Sequence, residues 1–381
     1  VPAMMQNKTI RLFADAHVFD GEHQGSRTNI KELYTRLALN SSLQLFMAAY
    51  DIDNLKKEFS GCNNITFIKY TTKSSVWRLL VQIPALIKKY KIDYAHFQYI
   101  IPLYKNCRFI VTMHDVLFND CPQYFPLFYR WQKNLLYGLA AKRADILTTV
   151  SDYSKQAIMK HFGIGSSKIT VIPHGVSSHF FEAYDKAKAK ETVYNLYGFK
   201  NIILYVSRIE PRKNHALLLR AFTELELYKK DYHLVLAGHQ SLPVPAFDNL
   251  YNALPEAVKN RVSIQKNCDD ARLLILYRAA SCFVYPSAAE GFGIPPLEAA
   301  VVQIPVLCSN HTALADFNFF KPYHISVSDF NFFKETLGNL LQDENAIRNT
   351  ATIRSHVQQN YCWKNAAALF NKLIADHYDK L

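Results

Sequence analysis

Short runs of β-branched and other apolar residues alternate with amphipathic stretches through most of this chain, and the alternation halts once near its middle. The runs predict strands at 10–14, 43–49, 65–68, 94–97, 109–113, 146–150 and 169–172, with helical patterns at 28–39, 76–89 and 154–162. Pro173-His174-Gly175 then breaks the pattern, and the charged stretch 185–190 has no strand character. The alternation resumes with strands at 202–206, 233–237, 261–264, 282–285 and 306–308 and helices at 216–227, 271–280 and 296–302. Helical patterns at 330–341, 345–360 and 363–377 close the chain. A parallel pair of strands needs a crossover long enough to hold a helix, so this alternation folds as parallel sheets covered by helices. Two such series predict an α/β protein of two Rossmann-like domains facing a central cleft, with ligands at the carboxyl ends of the strands.

A length of 381 residues agrees with two domains, because single cores stop growing below that size. Hydrophobic residues at 49% and charged residues at 20% exclude a disordered chain. No apolar run approaches the ~20 residues that span a bilayer. Val1 to Asn7 lacks the layout of a signal peptide, and Val1-Pro2-Ala3 before Met4 reads as a cloning remnant. Seven cysteines stand singly with no Cys-x-x-Cys pair, which argues against a disulfide framework or a zinc site and for a reducing, cytoplasmic setting.

The net charge of +12 draws polyanions, and nucleic acid, anionic lipid and phosphorylated substrates all qualify. Basic residues cluster locally at Lys88, Lys89 and Lys91 and at Lys186, Lys188 and Lys190, without any nucleic-acid-binding signature. The excess reads either as a solvated surface or as one facing an anionic membrane. Tyr124, Phe125, Phe128, Tyr129 and Trp131 after Pro122 read first as core, and otherwise as a stripe facing acceptor or membrane.

The segment with the most chemistry is Tyr285-Pro-Ser-Ala-Ala-Glu290-Gly-Phe-Gly-Ile-Pro-Pro-Leu-Glu298. It follows a strand and opens a helix, since Pro295 and Pro296 suit a first turn and no deeper position. Gly291 and Gly293 allow close backbone approach, and a helix start with free amides favours an anion such as a diphosphate. Glu298 falls in that helix's first turn, where its two oxygens suit a pair of vicinal hydroxyls. Alone it reads as a dipole partner of the helix; with Glu290 across this turn it reads as a site. A second segment, Ser207-Arg208-Ile-Glu-Pro-Arg-Lys213-Asn214, leaves the first strand of the second series. Arg208 and Lys213 there suit a diphosphate, each charge-assisted bond contributing ~1.5–3 kcal/mol. Arg212 reads as an ordinary helix-entry charge.

Together these segments resemble the large retaining, nucleotide-sugar-dependent glycosyltransferase family that includes sucrose and glycogen synthases and bacterial mannosyltransferases. The resemblance extends to Thr112-Met-His114-Asp115, Thr149-Val-Ser151, Val171-Ile-Pro-His-Gly-Val176 and Tyr361-Cys-Trp363. It implies the glycosyltransferase B fold, with an acceptor domain at 5–180 completed by a C-terminal helix at 363–381 and a donor domain at 181–362. It implies catalytic roles for His114, Arg208, Lys213 and Glu290. Arg208 and Lys213 would neutralise the diphosphate, Glu298 would hold the ribose, and Glu290 with the backbone of Gly291, Phe292, Gly293 and Ile294 would hold the sugar. Gly25 would lie near the phosphates, and Asn267 and Cys268 near the base. The chain departs from the family in having Gln303 where glycine is common and Asp316 where glutamate is common, and in its separated Gly21 and Gly25.

The function expected is transfer of a hexose, mannose first, to an acceptor hydroxyl with retention, in surface-polysaccharide assembly. The partners expected are a nucleotide-sugar donor, a glycan or lipid-linked acceptor and peripheral contact with an anionic membrane. Rival readings are a binding subunit without turnover and an epimerase on the same fold; no Gly-x-Gly-x-x-Gly supports a dehydrogenase. No cofactor and no metal are expected, and Asp51-Ile-Asp53 reads as a helix cap rather than a metal ligand pair.

Overall fold

A computed structural model describes residues 9–21 and 25–380, so Val1–Asn7 and residues 22–24 of the first loop lie outside the described residues. The chain divides into two compact units: the described residues of Val1–Gly175 with those of Trp363–Leu381, and Val176–Cys362.

The first unit is built on seven strands: β1 (Ile10–Asp15), β2 (Leu43–Ala49), β3 (Ile65–Lys69), β4 (Tyr94–Gln98), β5 (Arg108–Thr112), β6 (Ile146–Thr149) and β7 (Ile169–Val171). They form one parallel sheet in the order β3-β2-β1-β4-β5-β6-β7. Successive side chains of a strand face opposite ways. Phe13, Phe46, Phe97 and Val111 therefore enter a core with Tyr137 and Ile158, while Leu12, Leu45, Tyr94 and Ile110 enter another. The Gly25–Leu37 helix covers that second face with Ile30, Leu33, Tyr34 and Leu37, spaced as one helical stripe. The Trp363–Tyr378 helix completes it with Trp363, Ala366, Phe370 and Ile374.

The second unit carries β8 (Asn201–Val206), β9 (Tyr232–Ala237), β10 (Val262–Gln265), β11 (Cys282–Tyr285), β12 (Val306–Ser309) and β13 (His324–Ile325). They form a parallel sheet in the order β10-β9-β8-β11-β12-β13. Strand order reverses between β8 and β11, so the carboxyl ends of these two strands form the switch point of the sheet. The α/β class and both parallel sheets are as expected from the sequence.

The 185–190 charge run has no strand character, as expected, and opens a helix, Lys186–Tyr197, capped by the Asp185 carboxylate on the amides of Ala187 and Lys188. Two local expectations fail. The 76–89 helix is interrupted by a π-helical turn at Arg78–Gln82. The aromatics after Pro122 are core only in part: Phe125 packs against the first core, whereas Phe128 and Trp131 of the Leu127–Arg143 helix are 72% and 65% exposed. Among the described residues no helix is long and apolar enough to cross a membrane.

Candidate active site

In the second unit, the loop leaving β8 and the loop leaving β11 meet in an ionic cluster. Glu290 is buried and accepts from Lys213 Nζ, from Arg212 Nη1 at 3.2 Å and from the Tyr285 hydroxyl at 2.8 Å. Arg212 also bonds the Ala289 carbonyl at 2.7 Å and pairs with Glu210 at 3.0 Å. Glu210 takes Arg208 at 3.2 Å and the Ser241 hydroxyl at 2.9 Å. Three cations against two carboxylates leave one positive charge, which favours a diphosphate. Arg208 is the accessible cation, its side chain 45% exposed. Reading Arg212 as an ordinary helix-entry charge therefore misses its role, since it braces both glutamates from a 3-10 turn, Pro211–Lys213.

Burial opposes ionisation of Glu290, but Lys213 and Arg212 outweigh it and hold the carboxyl down to about 2. Burial and the neighbouring Arg212 charge lower Lys213 to about 8 against the pull of Glu290, so the amine is protonated at neutrality. The backbone holds this loop in place: Tyr205 donates its hydroxyl to the Lys213 carbonyl at 2.7 Å, and Asn214 reaches the Pro286 carbonyl at 3.0 Å. Gly238, after β9, has φ +148°, and a Cβ there would stand 2.1 Å from the Ser207 carbonyl oxygen. Only glycine lets the two loops approach so closely.

Glu298 lies beyond the first turn of the Ile294–Val301 helix, which Ile294, Pro295 and Pro296 open, and is half-buried there, with the Tyr277 hydroxyl donating to its Oε2 at 2.8 Å. One oxygen is thus engaged before any ligand arrives. Burial raises this carboxyl to about 7. The preceding loop is pinned by Thr312, whose hydroxyl oxygen accepts from the Glu290 amide at 2.8 Å. Gly293 has φ +106°, and an added Cβ would lie 2.5 Å from Leu314 Cδ2, so packing within the protein already demands glycine. Pro295 and Pro296 occupy the first turn, which removes two donors and leaves fewer amides for an anion than a helix start normally offers. Phe292 is buried against Phe317, with ring centroids 5.8 Å apart. Gly291 and Ile294 are partly exposed beside it. Asn267 is exposed and Cys268 partly buried at the carboxyl end of β10.

In the first unit His114, after β5, is buried with both ring nitrogens engaged. Asn29 can only donate to His174 Nδ1, at 3.2 Å, so His174 Nε2–H donates to His114 Nδ1 at 3.3 Å. His114 Nε2–H then donates to Gln98 Oε1. The chain of bonds runs one way, and burial lowers His114 to about 4, which keeps the ring neutral. Gly25 opens its helix on the surface, with open space where a Cβ would stand. Asp51 caps the Ile52–Glu58 helix, accepting from the Asn54 amide at 3.1 Å.

Missed in the sequence were Glu210, Arg212, Tyr285, Tyr277, Thr312 and Gly238. Glu210, Arg212 and Tyr285 stand inside the two segments singled out above, and Gly238 closes the β9 run; Tyr277 and Thr312 had no local signal.

Residues 187–351 match the family model "Glycosyl transferases group 1", and residues 50–180 match "Glycosyltransferase Family 4". The O-antigen chain mannosyltransferase B of Escherichia coli is 28% identical over 75% of this chain and 78% of its own length. Other bacterial mannosyltransferases are longer than the match; the chain spans 28% of one and 54% of another. A glycosyltransferase of Rickettsia africae ESF-5 superposes with a TM-score of 0.76 at 18% identity, covering 98% of this chain and 99% of that one. Anabaena HepE in complex with UDP and glucose superposes with a TM-score of 0.75 at 14% identity, covering 97% of this chain and all of that one. With the fold of these structures and the two family models along its length, the chain is a group 1 glycosyltransferase.

Proposed function

We propose that the protein transfers mannose from a nucleotide diphosphate sugar to an acceptor hydroxyl with retention at the anomeric carbon, in assembly of a surface polysaccharide on the cytoplasmic side of a membrane. The observation that carries this reading is the cluster of Arg208, Arg212 and Lys213 on Glu210 and Glu290 at the switch point of the second sheet. Its surplus positive charge suits a leaving nucleoside diphosphate, and preorganised cations stabilise charge that develops on departure. Support for mannose comes from the similarity to O-antigen chain mannosyltransferase B. Support for a nucleotide donor comes from the likeness to a fold that holds UDP in HepE. Arg208 and Lys213 neutralise the diphosphate, Glu298 holds the ribose and Glu290 the sugar, and Asn267 with Cys268 flank the base. The cations do the work that a metal would do on the diphosphate, so excess EDTA leaves turnover intact.

The test is incubation with GDP-mannose, and with UDP and ADP sugars in parallel, followed by assignment of the product anomer by NMR. An α-mannoside from GDP-mannose is expected. A β-mannoside overturns retention, and turnover with another nucleotide sugar alone overturns the donor.

A further inference from the structure

The first unit contains a cavity of about 580 Å³, a size that takes a small-molecule ligand. Its lining divides by chemistry. Asp15, His17, Arg78 and Gln98 are polar, whereas Leu79, Ile101, Leu136 and Leu139 are among a larger aliphatic group. Val76, Leu80 and Leu103 line the same cavity and are exposed to solvent.

Arg78 is the unusual member. It is only 9% exposed, yet among the described residues its side chain makes no hydrogen bond, and its buried Nε faces Asp15 Oδ2 without the geometry of one. Its one ion pair is with Asp15 at 3.4 Å. That carboxylate is already shared with the Tyr70 hydroxyl at 2.9 Å and His17 at 3.1 Å. Five guanidinium donors are not satisfied by a third claim on one carboxylate, and a buried unmet donor is costly. Arg78 opens the π-helical turn, a distortion that recurs at functional sites. Lys133 also lines the cavity, and among the described residues it has ring contacts with Tyr129 and Tyr137 but no carboxylate partner.

We infer that this cavity binds a phosphorylated apolar chain, with Arg78 taking the phosphate and the aliphatic lining taking the chain. The lining holds Arg78 and Lys133 against Asp15 as its one carboxylate, which favours an anion. The aliphatic lining, with Val76, Leu80 and Leu103 exposed, favours an apolar chain over a second polar group, since burying each exposed Val or Leu against a chain contributes ~1.5–3 kcal/mol. The assignment of this ligand as the acceptor rests on the transferase reading above.

The test is calorimetric titration of the full chain with decyl phosphate below its micellar concentration, beside decanol and inorganic phosphate. One-site binding of decyl phosphate is expected, with decanol and inorganic phosphate each at least roughly tenfold weaker, as loss of one charge-assisted contact predicts. Arg78→Gln should bring decyl phosphate down to the affinity of decanol. Leu103→Asp, on an exposed residue that the fold does not need, should weaken both chain-bearing ligands and leave nucleotide-sugar binding unchanged. Unaltered affinity in Leu103→Asp, or inorganic phosphate binding as tightly as decyl phosphate, overturns the proposal; so does unaltered affinity in a folded Arg78→Gln. Binding is read without turnover, so a failure here leaves the transferase reading standing, and loss of sugar transfer leaves this measurement standing.

Discussion

Tyr277 donates its hydroxyl hydrogen to Glu298 Oε2 across 2.8 Å, joining the Asp270–Ala279 helix to the helix that begins at Ile294. Burial raises Glu298 to about 7 and the tyrosine pulls the other way, so this carboxyl changes its charge in the neutral range. A ribose clamp works by accepting hydrogen bonds, which the ionised form does best.

Donor affinity should therefore rise as pH climbs through about 7, and Tyr277→Phe should move the midpoint upward by removing the bond that favours ionisation. Stability runs the opposite way. The folded-state value lies above the ordinary 4.5, so the folded protein holds the proton more tightly. The gain is full below 4.5 and is lost as pH rises towards 7, up to about 3 kcal/mol. Melting curves of Glu298→Gln should lose this slope; calorimetric donor titrations across pH check the binding arm.

Lys213→Ala and Glu298→Ala should each lower kcat/KM at least roughly tenfold, each removing a charge-assisted contact of ~1.5–3 kcal/mol. Lys213→Ala should also destabilise the fold, because Glu290 stays buried with Arg212 as its remaining cation. Steady-state kinetics beside thermal melts separate the two effects. Wild-type turnover in both variants would move the donor site elsewhere.

Gly293→Ala should cost ~1–3 kcal/mol from backbone strain at φ +106° and more from the clash with Leu314. Adding Leu314→Ala removes the collision but not the strain, and it opens a cavity of its own. The pair should then be less destabilising than the sum of the two single changes, measured as a double-mutant cycle in urea.

His114 should stay neutral through pH 5–8, with its proton on Nε2, visible in the nitrogen chemical shifts of the ring. Its folded-state value of about 4 lies below the ordinary 6.5, so stability is lost as pH falls across that interval. This slope opposes that of Glu298 where the two overlap, and Glu298→Gln unmasks it.

The sheets were legible because apolar runs in a doubly covered parallel sheet need only be continuous, as in residues 202–206. The 124–131 aromatics misled because composition alone does not say which face of a helix they take, and here Phe128 and Trp131 face water. Arg212 was legible as a charge but not as a brace, since its partners Glu210 and Glu290 come from opposite sides in sequence. Gln303 shows what a departure from a family pattern costs: it adopts φ +56° where glycine would relax, roughly a 1 kcal/mol strain. Tyr277 had no local signal, because its hydroxyl meets Glu298 only through the packing of two helices.

The Trp363–Tyr378 helix sets an order on synthesis. The core that receives Trp363, Phe370 and Ile374 belongs to the unit translated first, yet its last wall leaves the ribosome after every residue of Val176–Cys362. The later unit is contiguous and can mature as soon as it emerges, whereas the earlier one waits, with Leu12, Leu45 and Tyr94 lacking their cover. The nascent chain thus matures out of sequence, and the interval before release is when its first half is open to chaperones and proteases.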